Sequence, residues 1–147
     1  MNRLRIRTCV ALGAACALGA ALAAGPPRSP APKDVELYFV SPQDGETVKS
    51  PVTVRFGLRG MGIAPAGVAM ENTGHHHLLI DTGMPPLDQP VPADAKHVHF
   101  GKGQTEANVT LAPGRHRLQL LLADHRHIPH DPPVASKSIT ITVEQAR

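Results

Sequence analysis

Apolar and polar residues alternate with a period of two through several separate stretches of this chain. Ser138-Ile139-Thr140-Ile141-Thr142-Val143 does so almost without interruption, and Val52-Thr53-Val54-Arg55-Phe56-Gly57-Leu58 does so nearly as well. A strand sends successive side chains to opposite faces, so this pattern fits a sheet with one face buried. Val35 to Val40 is rich in β-branched and aromatic residues and reads as another strand. Turn chemistry separates these stretches: Ser41-Pro42-Gln43-Asp44-Gly45, and Ala112-Pro113-Gly114. The segment Arg115-His116-Arg117-Leu118-Gln119-Leu120-Leu121-Leu122 has a helical rival, because Leu favours helices. The Pro-Gly turn before it and the alternation that opens it favour a strand. With shorter strands at His76–Asp81, His97–Phe100 and Thr105–Leu111, the count is about seven. No convincing amphipathic helix is present. The expected fold is all-β: an immunoglobulin-like antiparallel sandwich with long polar loops. Within it, Leu118, Leu120 and Leu122 should pack against Val52, Val54 and Phe56 and against Ile139, Ile141 and Val143.

The N-terminus does not belong to that domain. Arg3, Arg5 and Arg7 precede an apolar run from Cys9 to Leu22, and small residues follow at Ala21, Ala23 and Ala24. This is the pattern of a cleaved secretory signal peptide over residues 1–24. The run is short for a membrane span, which needs about 20 residues. Residues 25–33 form a Pro-rich linker, expected to be extended and to act as a spacer. Residues 34–147 make up the β-sandwich domain. The expected location is periplasmic or secreted, with membrane contact only through the signal peptide.

Export changes the charge argument. Three of the fifteen Lys and Arg residues lie in the signal, which leaves twelve against twelve Asp and Glu. A neutral mature chain has no basic patch for nucleic acid. Both cysteines, Cys9 and Cys16, also go with the signal, so the mature domain has neither thiolate ligands nor a Cys nucleophile. There is no phosphate-cradling Gly loop, no Gly-x-Ser-x-Gly and no His-Glu-x-x-His. Trp is absent and Tyr38 is the sole tyrosine, which argues against aromatic platforms for sugars or bases. The chain is not expected to be an enzyme.

What remains is histidine. Gly74-His75-His76-His77-Leu78-Leu79-Ile80-Asp81 carries three imidazoles into an apolar strand. His97-Val98-His99-Phe100 and Asp124-His125-Arg126-His127-Ile128-Pro129-His130-Asp131 repeat the His-x-His spacing. On a strand, residues i and i+2 share a face and lie roughly 6.5–7 Å apart, so such a pair can aim two ring nitrogens at one point. Neutral imidazole suits copper and zinc. The candidate metal ligands are His75, His77, His97, His99, His125, His127 and His130, gathered at one end of the sandwich. Asp81, Asp124 and Asp131 are candidate ligands or partners that orient an imidazole. Met61, Met70 and Met84 could add thioethers, though packing is the commoner use of Met. His76 and His116 share parity with apolar neighbours and read as core-edge residues hydrogen-bonded to backbone. Metal affinity should fall as pH drops through about 6.5, the ordinary His value.

Two functions follow. One is a periplasmic metal-binding module for a copper or zinc ion. The other is a non-enzymatic structural or interaction domain of the cell envelope. In that case the histidines form a polar network without metal, and the loops meet an envelope protein partner.

Three motifs carry a resemblance. They are Phe39-Val40-Ser41-Pro42-Gln43-Asp44-Gly45, then Glu71-Asn72-Thr73-Gly74 running into the His-led strand, then His116 to His125 continuing through His130-Asp131-Pro132-Pro133-Val134. From Leu37 to Val143 the chain resembles small exported bacterial proteins classed as domain of unknown function 4399. The resemblance implies a secreted immunoglobulin-like β domain and no established activity.

Overall fold

The computed structural model describes residue 25 and residues 27–145. The expected signal peptide, residues 1–24, lies outside the described residues. The strands are β1 (Glu36–Ser41), β2 (Thr47–Val48), β3 (Val52–Arg59), β4 (Gly62–Ile63), β5 (Thr73–Ile80), β6 (His97–Phe100), β7 (Glu106–Val109), β8 (Gly114–Ala123) and β9 (Ile139–Val143). No helix occurs among the described residues. The two strands beyond the expected seven, β2 and β4, are two-residue pieces too short to show periodicity.

The strands form two sheets. One has the order β1-β3-β7; the other has β2-β9-β8-β5-β4, with β6 also paired to β5. The long ladders are antiparallel, while the short β2–β9 and β4–β5 pairs are parallel. The chain thus enters the first sheet at β1 and crosses to the second at β2. This is the strand order of an immunoglobulin-like sandwich.

Parity decides which side of each strand meets the other sheet. Leu118, Leu120 and Leu122 of β8 share one core with Val52, Val54 and Phe56 of β3 and with Ile139, Ile141 and Val143 of β9. Leu78 and Ile80 of β5 join them, and the ring of His76 packs on Phe56 with centroids 4.8 Å apart. His76 therefore lies inside the core rather than at its edge, and neither ring nitrogen has a hydrogen-bond partner among the described residues. His116 keeps the expected role: its Nε2 bonds the Ala112 carbonyl at 2.9 Å and its Nδ1 the Asp81 carboxylate at 2.7 Å.

The other face of β5 is not solvated. Leu79, Leu121 and Ala123 form a second apolar cluster with Val91, which comes from the long loop between β5 and β6. That loop and the one after β8 roof the outer face of the larger sheet, so β5 is buried on both sides from Gly74 to Ile80. The linker departs from its expected spacer role. Pro30 bridges Asp131, with Ala31 N donating to Asp131 O and Asp131 N to Ser29 O, each at 2.9 Å.

Candidate metal centre

The roofed face holds the histidines. His75 and His77 point to it from β5, and β6 lies beside β5 with His99 directly opposite His77. Side chains directly opposite in a ladder share a face, so register alone brings the third imidazole to the first two. His75, His77 and His99 each offer a ring nitrogen, and these three atoms lie within 4.8 Å of one another. Ring centroids are 4.8 Å apart for His75–His77, 5.0 Å for His75–His99 and 5.1 Å for His77–His99. An imidazole bound at ~2.0–2.1 Å holds its centroid about 3 Å from the ion, so tetrahedral neighbours have centroids about 5 Å apart. The three centroid spacings match that value; nitrogens bound to one ion would themselves be ~3.4 Å apart, closer than the 4.8 Å within which these lie.

Gly101 makes room for His99. A Cβ at Gly101 would lie 2.2 Å from Cε1 and 2.5 Å from Nε2 of that ring. Only a residue without a Cβ lets the ring lie there. The sequence shows Gly101 after the strand but not which ring it shelters.

A fourth ring, His127, comes from the turn after β8. Its centroid is 4.8 Å from that of His99, 4.9 Å from that of His75 and 6.1 Å from that of His77. His127 has φ 69°, the left-handed region, which turns its side chain back over β5. Asp124 shapes that turn: its Oδ1 accepts from Arg126 N at 2.8 Å and from Ile128 N at 3.1 Å.

The remaining candidates lie elsewhere. His97 has the right parity but sits opposite Leu79, one full repeat along the ladder, and its Nδ1 binds Asp94 Oδ1 at 2.8 Å. His125 and His130 line a separate cleft of about 290 Å³ with Ser29, Met70, Thr73 and Asp124. His130 Nε2 bonds the Thr73 carbonyl at 3.2 Å. Asp81 orients His116, and Asp131 pairs with Arg28 at 3.4 Å. Met61 packs on the core, and Met70 and Met84 are exposed. The cluster forms on the outer face of one sheet, not at an end of the sandwich, because His75 and His77 lie within β5 and His99 within β6.

Burial sets the electrostatics. It pushes His75 down to about 4, with His127 and His99 adding repulsion. It pushes His77 down to about 3, with repulsion from His75, His99 and His127. His99 is lowered for the same reasons, burial first and His127 second. These rings are therefore neutral at pH 7 with free lone pairs, the form that ligates metal. Proton competition at His75 and His77 begins well below the ordinary 6.5.

Both nitrogens of His75 and Nδ1 of His77 are buried without a hydrogen-bond partner among the described residues. A polar network should supply those partners, because each unpaired buried group costs about 1–3 kcal/mol. His76 shows that a missing partner alone does not make a site; what sets His75 and His77 apart is convergence. The donor set, neutral nitrogens without thiolate or carboxylate, fits a late first-row ion.

No curated protein matches the chain. Among solved structures, a fibronectin(III)-like module of Clostridium thermocellum CbhA is similar. It has 14% identity and a TM-score of 0.38, and the match covers 76% of this chain and 99% of that one. The fold rests on the strand order above and not on that likeness. The four clustered imidazoles all lie within residues 54–144, which match the family model described as domain of unknown function (DUF4399), and the chain belongs to that family.

Proposed function

We propose that this chain is an exported metal-binding module whose centre is His75, His77 and His99, with His127 as the fourth imidazole. The observation that carries the proposal is the convergence of three ring nitrogens within 4.8 Å, at a place where both nitrogens of His75 and Nδ1 of His77 are buried without a hydrogen-bond partner among the described residues. The near-tetrahedral spacing of the rings favours an ion with no preference for a plane, which points to Cu(I) or Zn(II). The cost of burying an ion grows with the square of its charge. With no anionic ligand in the set, a monovalent ion is easier to hold here than a divalent one, and Cu(I) is the better fit. The Arg-rich start and short apolar run support export, so the site would operate outside the cytoplasm.

The test is calorimetric titration of chelator-treated mature protein, purified without a His-affinity step, with Zn(II) and Cu(II) at pH 7.5. Cu(I) is titrated under reducing conditions. One ion per chain is expected, with a raised melting temperature. His75→Ala with His77→Ala should abolish binding, while His97→Ala and His125→Ala should leave it intact. No saturable binding tighter than about 10 μM, roughly −7 kcal/mol, rejects the proposal.

A further inference from the structure

The turn that carries His127 does not hold its shape alone. His127 N donates to Asp124 O at 2.8 Å, and Asp124 N donates to Ile128 O at 2.9 Å. The Asp124 side chain is 2% exposed. Its Oδ1 is used by the turn's own amides, and its Oδ2 accepts from Ser29 Oγ at 2.7 Å and from Arg126 Nη2 at 2.9 Å. The same Arg126 nitrogen donates to the Pro27 carbonyl at 2.7 Å. Arg28 adds Nε to Pro129 O at 3.0 Å, a further bond to the His130 carbonyl, and the ion pair with Asp131. The backbone bridge at Pro30 completes the seat.

The N-terminal segment thus reaches across about a hundred residues of sequence to one loop and caps the carboxylate that shapes it. A left-handed, non-glycine residue persists only where its surroundings hold it there. Those surroundings are the Asp124 turn, the Val91 amide on the His127 carbonyl at 2.8 Å, and the segment from Pro27 to Ala31.

We propose that Pro27–Ala31 is a strap whose docking on the Asp124–Asp131 loop holds His127 against the other three imidazoles, so that strap docking and metal binding strengthen each other. This rests on the metal-binding reading above. Linkage makes the effect reciprocal: whatever the docked strap adds to metal affinity, bound metal adds to strap docking. Ser29 and Arg28 are positioning residues, since neither belongs to the imidazole cluster.

The experiment compares the mature chain with its R28A/S29A, H127A and R28A/S29A/H127A forms, titrated with Zn(II) and Cu(I). The strap variant should bind about ten-fold more weakly than the unaltered chain, within the usual range of coupling between sites. In the H127A background the strap substitutions should change affinity less than about two-fold, because a double-mutant cycle cancels effects that act only through His127. A strap that merely stabilised the fold would weaken both backgrounds equally, and that result overturns the inference. A strap variant with unchanged affinity overturns it too. Hydrogen exchange on the unaltered chain needs no variant: metal should slow exchange at the Ala31 and Asp131 amides, and no change there counts against the strap. Absence of any binding by the unaltered chain removes the metal reading itself and this inference with it.

Discussion

Replacing His77 with Leu should make the metal-free protein more stable. The ring is 1% exposed, and its Nδ1 has no partner among the described residues. Opposite it on β8 lies Leu121, and Leu79 shares its face two residues along β5. Leu is close to His in volume, so the substitution removes an unpaired polar atom without opening a cavity. The gain at pH 8 is about 1–3 kcal/mol, the usual cost of a buried unpaired group. Acid adds a second contribution. The folded-state pKa of His77 is lowered to about 3, below the unfolded value of 6.5. The unfolded chain therefore binds a proton that the folded chain does not, and stability falls as pH drops from 6.5 toward 3. At pH 5 this amounts to roughly 2 kcal/mol in the parent and nothing in the variant. The stability gap should widen to about 3–5 kcal/mol at pH 5. Urea denaturation in the presence of chelator at both pH values measures it. The variant should also lose any rise in melting temperature caused by Zn(II) or Cu(I). A variant less stable than the parent by more than about 1 kcal/mol at pH 8 would mean that the ring nitrogens are paired in solution, as a polar network requires. A gap that does not widen would mean that His77 is not held neutral.

Gly101→Ala should push the His99 ring out of place, since the new Cβ would overlap it; metal affinity should fall by about ten-fold or more by titration, a loss of about 1.4 kcal/mol. His116→Ala should leave stoichiometry unchanged and cost about 1 kcal/mol, less than a buried charge-assisted bond because the Asp81 side chain is 42% exposed. Burial lowers the His116 pKa, but the Asp81 bond and the Ala112 carbonyl raise it by more, so it lies above the ordinary value. That stabilisation is full below pH 6.5 and is lost as pH rises through the raised value; denaturation midpoints that show no larger deficit at pH 6 than at pH 9 would count against the pairing.

Strand parity is a local property, and the sequence carries it well. Ile139, Ile141 and Val143 face the core, as do Leu118, Leu120 and Leu122, and the Leu-rich segment is a strand. The same parity puts His75 with His77, and His97 with His99. Register is not local. Nothing within His97–Phe100 says that His99 meets His77 while His97 meets Leu79, nor that Asp94 takes the His97 ring. The left-handed turn at His127 depends on Asp124 and on a strap from the far end of the chain, which a reading by segments treats as a spacer. A buried polar group usually has a hydrogen-bond partner, so the sequence suggests one on the backbone for His76; the packing against Phe56 offers none.

The roof over β5 gives the cluster an inside and an outside. His75 and His77 are sealed, His127 is partly covered and His99 is open to solvent. Among the described residues, the solvent-facing side of the cluster is the one that His99 and His127 form, and an ion held among these rings would be approached there. A donor or acceptor molecule could replace those two rings one at a time while His75 and His77 kept their hold. The speed of hand-over would then follow how often the His127 loop lifts, a local opening far less costly than unfolding the sheet. Affinity would thus draw on all four rings, His127 of the loop included, while the pace of exchange would be set by the loop alone.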